Sequence, residues 1–523
     1  MKEIIRGLTV SRRSFLKKTA ALTAAGSALL TGGLVGAQTA PNGKPRRGGR
    51  LVVGVTGGGA KDKLDAHTPI SLPDTARVHN LYDRLAIRNE NFDLELALAE
   101  EVTPSSDASK WTIRLKQGVT FHNGKDITAD DVIFTFQRIL DKAAPKNEAR
   151  SISFVDPNGF RKLDARTVEV NLLWPSGILL DALSGYAFGI VPVGYDPANP
   201  VGSGPFKLKS FTAGDKSIFT RFDGYWRPDQ PYLDEVVIID FPDESARINA
   251  LLGGQVDAID QVPLGQIPIV EGNSALRVLD SPTGSWLPFT MRVDAPPFND
   301  VRVRQAFRLI VDRKEMIRQA LAGRGRIGND IYSPFDPCYP SDFPQRDQDI
   351  DQAKSLLRQA GHQDLEVELV SSPVGAGLVE AAQVFTKQAE SAGVKVRLNR
   401  KDAGQFYGKE WLSYPFSQAV WYTRSYLLQA GRCALPQSPF NETHWTDPAY
   451  ARLIQEAIAT IDDKKRCEII HQAQKLEWDN GGYLIWGFPN QVGAYSARVS
   501  GFKPDKTGAP MNSYGFGKVW FNA

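Results

Sequence analysis

The chain reads as an α/β protein built from two or three globular units, and three observations carry that reading. At 523 residues it is too long for a single hydrophobic core. Up to Pro282 the apolar residues come mostly in short alternating runs, the period of strands, whereas beyond it strands alternate with long helical repeats. Residues 111–140 show both periods side by side, with the turn and capping residues between them in place.

Taken in order, the chain opens on a leader. Ser11-Arg12-Arg13-Ser14-Phe15-Leu16-Lys17 has the form of a twin-arginine export signal, which a receptor reads and which does not anchor. The mildly apolar, Ala/Gly-rich stretch behind it is a poor membrane span, and Val35-Gly36-Ala37 offers a small-residue cleavage site. Residues 1–37 are therefore expected to be a signal peptide. They hold six Lys/Arg and one acid, which leaves 56 basic against 58 acidic side chains in the remainder. That balance, with no basic run after the leader, argues against nucleic acid as a partner. No Cys follows the cleavage site to carry a lipid, and no later apolar run could span a bilayer. A free, monomeric periplasmic protein is the expectation.

Residues 50–55 form the first strand, followed by the Gly57-Gly58-Gly59 loop, Asp65 and a helix over 77–85. In the next stretch Trp111, Ile113 and Leu115 alternate with polar residues, and Gln117-Gly118 turns the chain into a second short strand at Val119-Thr120-Phe121. Thr128 is placed to cap a helix with Asp131 as capping-box partner, while Asp130 and Asp131 suit the positive end of its dipole. Its buried stripe is Val132, Ile133, Phe136, Ile139 and Leu140. Short strands and loops fill residues 150–200. Strands resume at 206–211 and 236–239, and a helix over 244–252 ends at Gly253-Gly254.

Beyond Pro282 one long helix is expected over 302–321 and a shorter one over 351–360, closed by Gly361. Residues 366–370, 378–392 and 394–398 form a strand-helix-strand unit. Asp447 caps a helix that starts with Pro448, a favoured arrangement, and another helix spans 463–479. The tail after Leu484 returns to strands. Three cysteines allow at most one internal disulfide: Cys467 reads as a buried core thiol, and a Cys338–Cys433 bridge suits an oxidising compartment.

Several motifs that imitate enzymes lack their context. Gly323-Arg324-Gly325-Arg326-Ile327-Gly328 spells a dinucleotide fingerprint but follows a helix instead of a strand. Lys506-Thr507-Gly508 and Ser500-Gly501-Phe502-Lys503 imitate penicillin-enzyme motifs, yet they lie side by side where those come from distant segments. The six His, at positions 67, 79, 122, 362, 444 and 471, show no metal-ligand spacing. No catalytic residue, cofactor or metal is expected.

Residues 111–138, WTIRLKQGVTFHNGKDITADDVIFTFQR, resemble the most specific stretch of the bacterial extracellular solute-binding proteins of family 5, the binding subunits of ABC importers for peptides, nickel chelates and opines. Further matches follow in the family's order: Val201-Gly202-Ser203-Gly204-Pro205-Phe206, Gly224-Tyr225-Trp226, the run from Pro297 to Ala306, and the run from Asp351 to Leu357. The resemblance implies a two-lobed fold of the periplasmic-binding-protein kind, type II, in the three-domain peptide-binding subclass. It assigns residues 38–80, 200–281 and 491–523 to the core domain of lobe I, 81–199 to its accessory domain and 282–490 to lobe II. It also implies hinge closure on a small solute and delivery to membrane permease subunits. An exported hydrolase or redox protein on the same scaffold is the alternative.

In peptide-binding members a Trp-x-x-Asp motif of lobe II receives the peptide's α-ammonium group. Here the matching place reads Trp421-Tyr422-Thr423-Arg424, with a cation where the acid would stand. A simple peptide held by its ammonium is thereby disfavoured. Arg424 suits a carboxylate or another acceptor-rich group, unless it points to solvent or pairs with a neighbouring acid. Trp421 and Tyr422 could stack on a ligand or belong to the core. Trp286, at the crossing into lobe II, and Asp65 and Ser203, on loops that the resemblance places at the cleft, complete the candidate ligand-binding set. Gly202 reads as a structural turn.

Overall fold

The computed structural model describes residues 44–522. The twin-arginine leader lies outside them. Two principal sheets organise the rest, each with helices on its faces. In the first, the strand Arg50–Thr56 runs parallel to Glu235–Phe241 and Ala258–Ile259, and Gly487–Ser496, Leu276–Pro282, Lys216–Arg221 and Phe206–Thr212 extend it in antiparallel pairs. Leu51, Val53 and Val55 of the central strand pack with Val78 and Leu81, while Val52 packs with Ile248 and Leu251 on the opposite face. The two-residue period of the strand thus serves two helices, Leu72–Leu81 and Glu244–Leu252.

The helix Leu72–Leu81 is capped by Ser71, has Pro73 in its first turn, and is fixed by a buried ionic cluster. Arg77, with no exposed surface, meets Asp62 at 3.0 Å, Asp74 at 2.9 Å and Asp240 at 2.5 Å. Removing one partner from such a buried network costs about 3–5 kcal/mol, because the charge left behind has no water. The cluster sets the position of one wall of the site described below.

The second sheet orders Val394–Arg400, Leu365–Ser371, Phe416–Gln418, Phe289–Met291 and Tyr483–Leu484. Its first two strands are parallel and joined by the helix Leu378–Glu390, the expected strand-helix-strand unit. Phe289, Phe298, Phe307, Phe385 and Phe416 interlock beneath it, with centroids 4.6–6.0 Å apart. A four-stranded antiparallel sheet of Ala99–Pro104, Lys110–Leu115, Thr167–Leu172 and Val155–Lys162 carries the helix Ala129–Ile139. There Thr128 and Asp131 form the capping box read from the sequence. The chain passes between the principal sheets after Pro282 and again before Gly487, and Thr283 Oγ1 ties the two crossings by donating to the Pro489 carbonyl at 2.7 Å.

Three local expectations are corrected. Residues 302–321 form two helices, Val301–Ile310 and Arg313–Ala320, because Asp312 accepts from the Glu315 amide and starts a new one. Val119-Thr120-Phe121 contributes a single bridge, Thr120 to Asp126, in place of a strand. The disulfide joins Cys338 to Cys467, and Cys433 is the buried thiol. Asp336 accepts from the amides of Tyr426 and Cys338 and so shapes the loop that carries Cys338 to the half-buried Cys467, whereas Cys433 faces inward and donates to the Gln429 carbonyl. The rejection of the dinucleotide fingerprint holds: Gly325–Ile327 is a strand paired with Gly487–Ser496, so the glycine-rich run opens no helix.

Candidate functional site

A cavity of about 660 Å³ is lined from both principal sheets and their helices; the elements of the first, with the four-stranded sheet, are called lobe I and those of the second lobe II. Lobe I contributes residues of the helix Leu72–Leu81, Arg84, Arg88, Glu148, Asp181, Tyr186 and the tail from Thr507 to Tyr514. From lobe II come Tyr407, Trp411, residues 419–425, Arg432, Phe440 and Glu442. The walls approach closely: a Cβ built on Gly508, which has a φ of +84°, would lie 2.4 Å from Thr423 Oγ1. Only glycine fits at that contact.

Trp421 enters the wall on a fixed backbone. It exchanges both backbone hydrogen bonds with Trp286, each 3.0 Å long, and Thr423 Oγ1 accepts from the Gly284 amide at 2.9 Å. Behind Trp421 the rings of Trp286, Tyr332 and Tyr426 stack in a column, with successive centroids 5.7, 5.2 and 5.0 Å apart and planes within 19°. The Tyr426 hydroxyl closes the column by donating to Glu477 at 2.7 Å. Offset stacks of this kind contribute about 0.5–1.5 kcal/mol per pair beyond burial. The column therefore fixes both the plane of Trp421 and the start of the helix Tyr426–Cys433.

Arg424 stands just before that helix, half-buried at the cavity wall. Among the described residues it has no carboxylate at ion-pair distance and no side-chain hydrogen bond. A cation at a helix N-terminus also opposes the dipole, so local stability does not account for its place. Two other arginines of the wall are matched. Arg432 meets Glu148 at 3.1 Å and Arg88 meets Asp181 at 2.5 Å. The Ser425 hydroxyl also donates to Asp181, so both this bond and the Arg432–Glu148 pair join lobe II to lobe I. Burial pushes the Glu442 carboxyl up to about 8, against a 2.5 Å hydrogen bond from the Tyr483 hydroxyl, and burial holds His79 neutral, well below its ordinary range. At neutral pH the wall is consequently positive.

Trp421 is 7% exposed and its indole N–H has no partner. Trp478, Trp486 and Trp520 share that feature elsewhere, so it gains weight here from its place beside Arg424. Tyr422, at 62% exposure, and Tyr407 present aromatic surface at the cavity, and Ile70 faces them from lobe I.

Of the candidates read from the sequence, Trp421, Tyr422 and Arg424 come together in this wall, and the other three lie away from it. Trp286 is buried in the ring column and supports Trp421 from behind. Asp65 is taken up by Arg138, which donates to both its oxygens at 3.0 and 2.7 Å, and by the His67 amide. Ser203 is fully buried and accepts from the Asp83 amide at 3.3 Å. Gly202 packs against the Leu81 carbonyl, which a Cβ would meet at 1.9 Å. Sequence reasoning missed Arg84, Glu442 and the tail at Thr507-Gly508. The Lys506-Thr507-Gly508 run, read from the sequence only as an imitation of an enzyme motif, was the sign of that tail, and its glycine has a positive φ.

Comparison with known proteins fits this architecture. The glutathione-binding protein GsiB of Escherichia coli K12 is 23% identical over 462 residues, covering 84% of this chain and 89% of GsiB. Among solved structures, the binding protein AgaA of A. tumefaciens R10 in complex with agropinic acid superposes with a TM-score of 0.75 at 24% identity, over 91% of this chain and 99% of AgaA. DppA of Helicobacter pylori in complex with the peptide STSA gives 0.76 at 22% identity, with the same shares, 91% and 99%. Residues 93–430 match the family model described as bacterial extracellular solute-binding proteins, family 5 Middle. The two-lobed scaffold, the cavity between its lobes and this match over well more than half the chain lead to one conclusion: the protein belongs to the bacterial extracellular solute-binding proteins of family 5.

Proposed function

We propose that the protein is the extracytoplasmic binding subunit of an ABC importer and captures a carboxylate-bearing solute, peptide-like or opine-like, by closing its lobes on it. The observation that carries this reading is Arg424, a guanidinium in the cavity wall with no carboxylate at ion-pair distance among the described residues. An acid group there gains a bidentate, charge-assisted contact and the favourable end of the helix Tyr426–Cys433. Trp421 supplies a stacking face. The AgaA complex with agropinic acid supports the reading, as an acid held on the same fold.

Closure follows from where the contacts lie. The Arg432–Glu148 pair and the Ser425–Asp181 bond join the lobes beside the cavity, so a solute that completes the walls stabilises the closed population. Membrane permease subunits would read that form. In this account the protein is a monomer without catalytic activity, exported by the twin-arginine route to the periplasm. Measuring solute affinity for Arg424→Gln by calorimetry tests it. A loss of about a hundredfold is expected for a charged contact with its attraction removed; unchanged affinity overturns the reading.

A further inference from the structure

We infer that the solute carries two separate anionic groups, and that Arg84 of lobe I anchors the second as Arg424 of lobe II anchors the first. The inference rests on the reading above and extends it to a residue on the opposite wall. Among the described residues four arginines line the cavity, and two of them, Arg88 and Arg432, are neutralised by Asp181 and Glu148. Arg84 and Arg424 are left. The contact of Arg84 is a neutral one, to the Ser184 carbonyl at 2.8 Å. Its neighbour Asp83 is engaged elsewhere, accepting from Trp226 Nε1 at 2.7 Å and the Tyr225 hydroxyl at 3.2 Å. Burial draws the Arg84 guanidinium down to about 10, against the attraction of Asp83, which makes no hydrogen bond to it.

The position of Arg84 says where the second anion would sit. Arg84, Arg88, His79 and Ser513 line the main cavity and also a second chamber of about 370 Å³ inside lobe I. That chamber brings Arg227, Lys503 and Lys518 to its walls beside the acids Asp83, Glu90 and Asp505, so that with Arg84 and Arg88 its cations outnumber its acids, and Glu90 answers the two lysines only loosely, at 4.0 and 3.6 Å. An anionic arm directed from the main cavity at Arg84 thus enters a region of positive potential. Closing on a solute with one acid would bury one guanidinium unmatched, which is strongly unfavourable once water is excluded. A solute with two acids compensates a charge on each lobe, and each compensation favours closure. Tyr407, Trp411 and Tyr422 suit an aromatic or apolar body on the same solute.

Two probes differing only in the second carboxylate test this: N-succinyl-L-phenylalanine and N-butanoyl-L-phenylalanine, titrated calorimetrically into the full protein, Arg84→Gln, Arg84→Lys and Arg424→Gln. The succinyl probe is expected to bind the unmodified protein about tenfold tighter or more, the scale of one charge-assisted contact. Arg84→Gln should abolish that preference while still binding the butanoyl probe, which also shows that it folds, and Arg84→Lys should keep part of it. Arg424→Gln should weaken both probes. Equal affinity for the two probes, no binding of either, or a preference that survives Arg84→Gln overturns the inference. If only Arg84→Gln has its effect and Arg424→Gln has none, the reading of Arg424 fails instead.

Discussion

Trp111 and Trp421 are buried almost equally, at 5% and 7% exposure, yet their polar atoms are treated in opposite ways. The indole N–H of Trp111 donates to the Ser176 carbonyl at 2.9 Å, whereas that of Trp421 has no partner. The surroundings repeat the contrast. Around Trp111 the helix that follows has both halves of its capping box and acids at its positive end. Around Trp421 the next helix has a cation, Arg424, at that same end and no acid to match it. Where the indole nitrogen and the helix end are satisfied by their neighbours, the chain is scaffold. On the proposed reading, where a half-buried charge is left unmatched at a cavity, the fold has given up local stability for something a ligand returns.

That contrast can be broken or sharpened by substitution. Trp111→Ala should lower stability by about 3–5 kcal/mol through the lost packing and cavity, read by urea unfolding, while the folded fraction keeps its affinity; a lost affinity without lost stability would blur the division. At Glu442 the effect depends on pH. Burial raises its carboxyl from 4.5 to about 8, so between those values the folded protein holds a proton that the unfolded chain has released. Stability should therefore fall as pH rises through that window, by up to about 1.4 kcal/mol per pH unit for one proton. Unfolding midpoints of Glu442→Gln over the same range should show a flatter slope. Above pH 8 the ionised Glu442 also puts a negative charge on the cavity wall, and calorimetry should find anion affinity falling in the wild type and not in Glu442→Gln. Thr128→Ala should cost about 1 kcal/mol of stability by loss of one cap, again by urea unfolding, with binding unmoved.

How much could be read beforehand follows the same division. The α/β class, the strand at residue 111, the capped helix after Thr128 and the strand-helix-strand unit were legible because periodicity and capping act over a few residues. Arg424 stood out as a departure from a motif. Arg84 gave no local sign. A helix read over 77–85 would place it in a last turn, where a cation is unremarkable, but the helix runs over Leu72–Leu81 from its cap at Ser71, turns extended at Tyr82 and leaves Arg84 beyond it. What brings Arg84 to the cavity is the return of residues 181–186 and 507–514 from far along the chain, and no window of sequence contains that. The cysteine pairing was hidden for the same reason, since Cys338 and Cys467 are 129 residues apart.

The central claim is that the charge left open at Arg424 is matched by the solute. Native mass spectrometry of the wild type and Arg424→Gln, each purified from its own cell envelope, tests it most directly. The account predicts that the wild type carries a bound solute with at least one acid group and that Arg424→Gln emerges without it. A solute lacking any acid, or one retained equally by both proteins, would contradict the account.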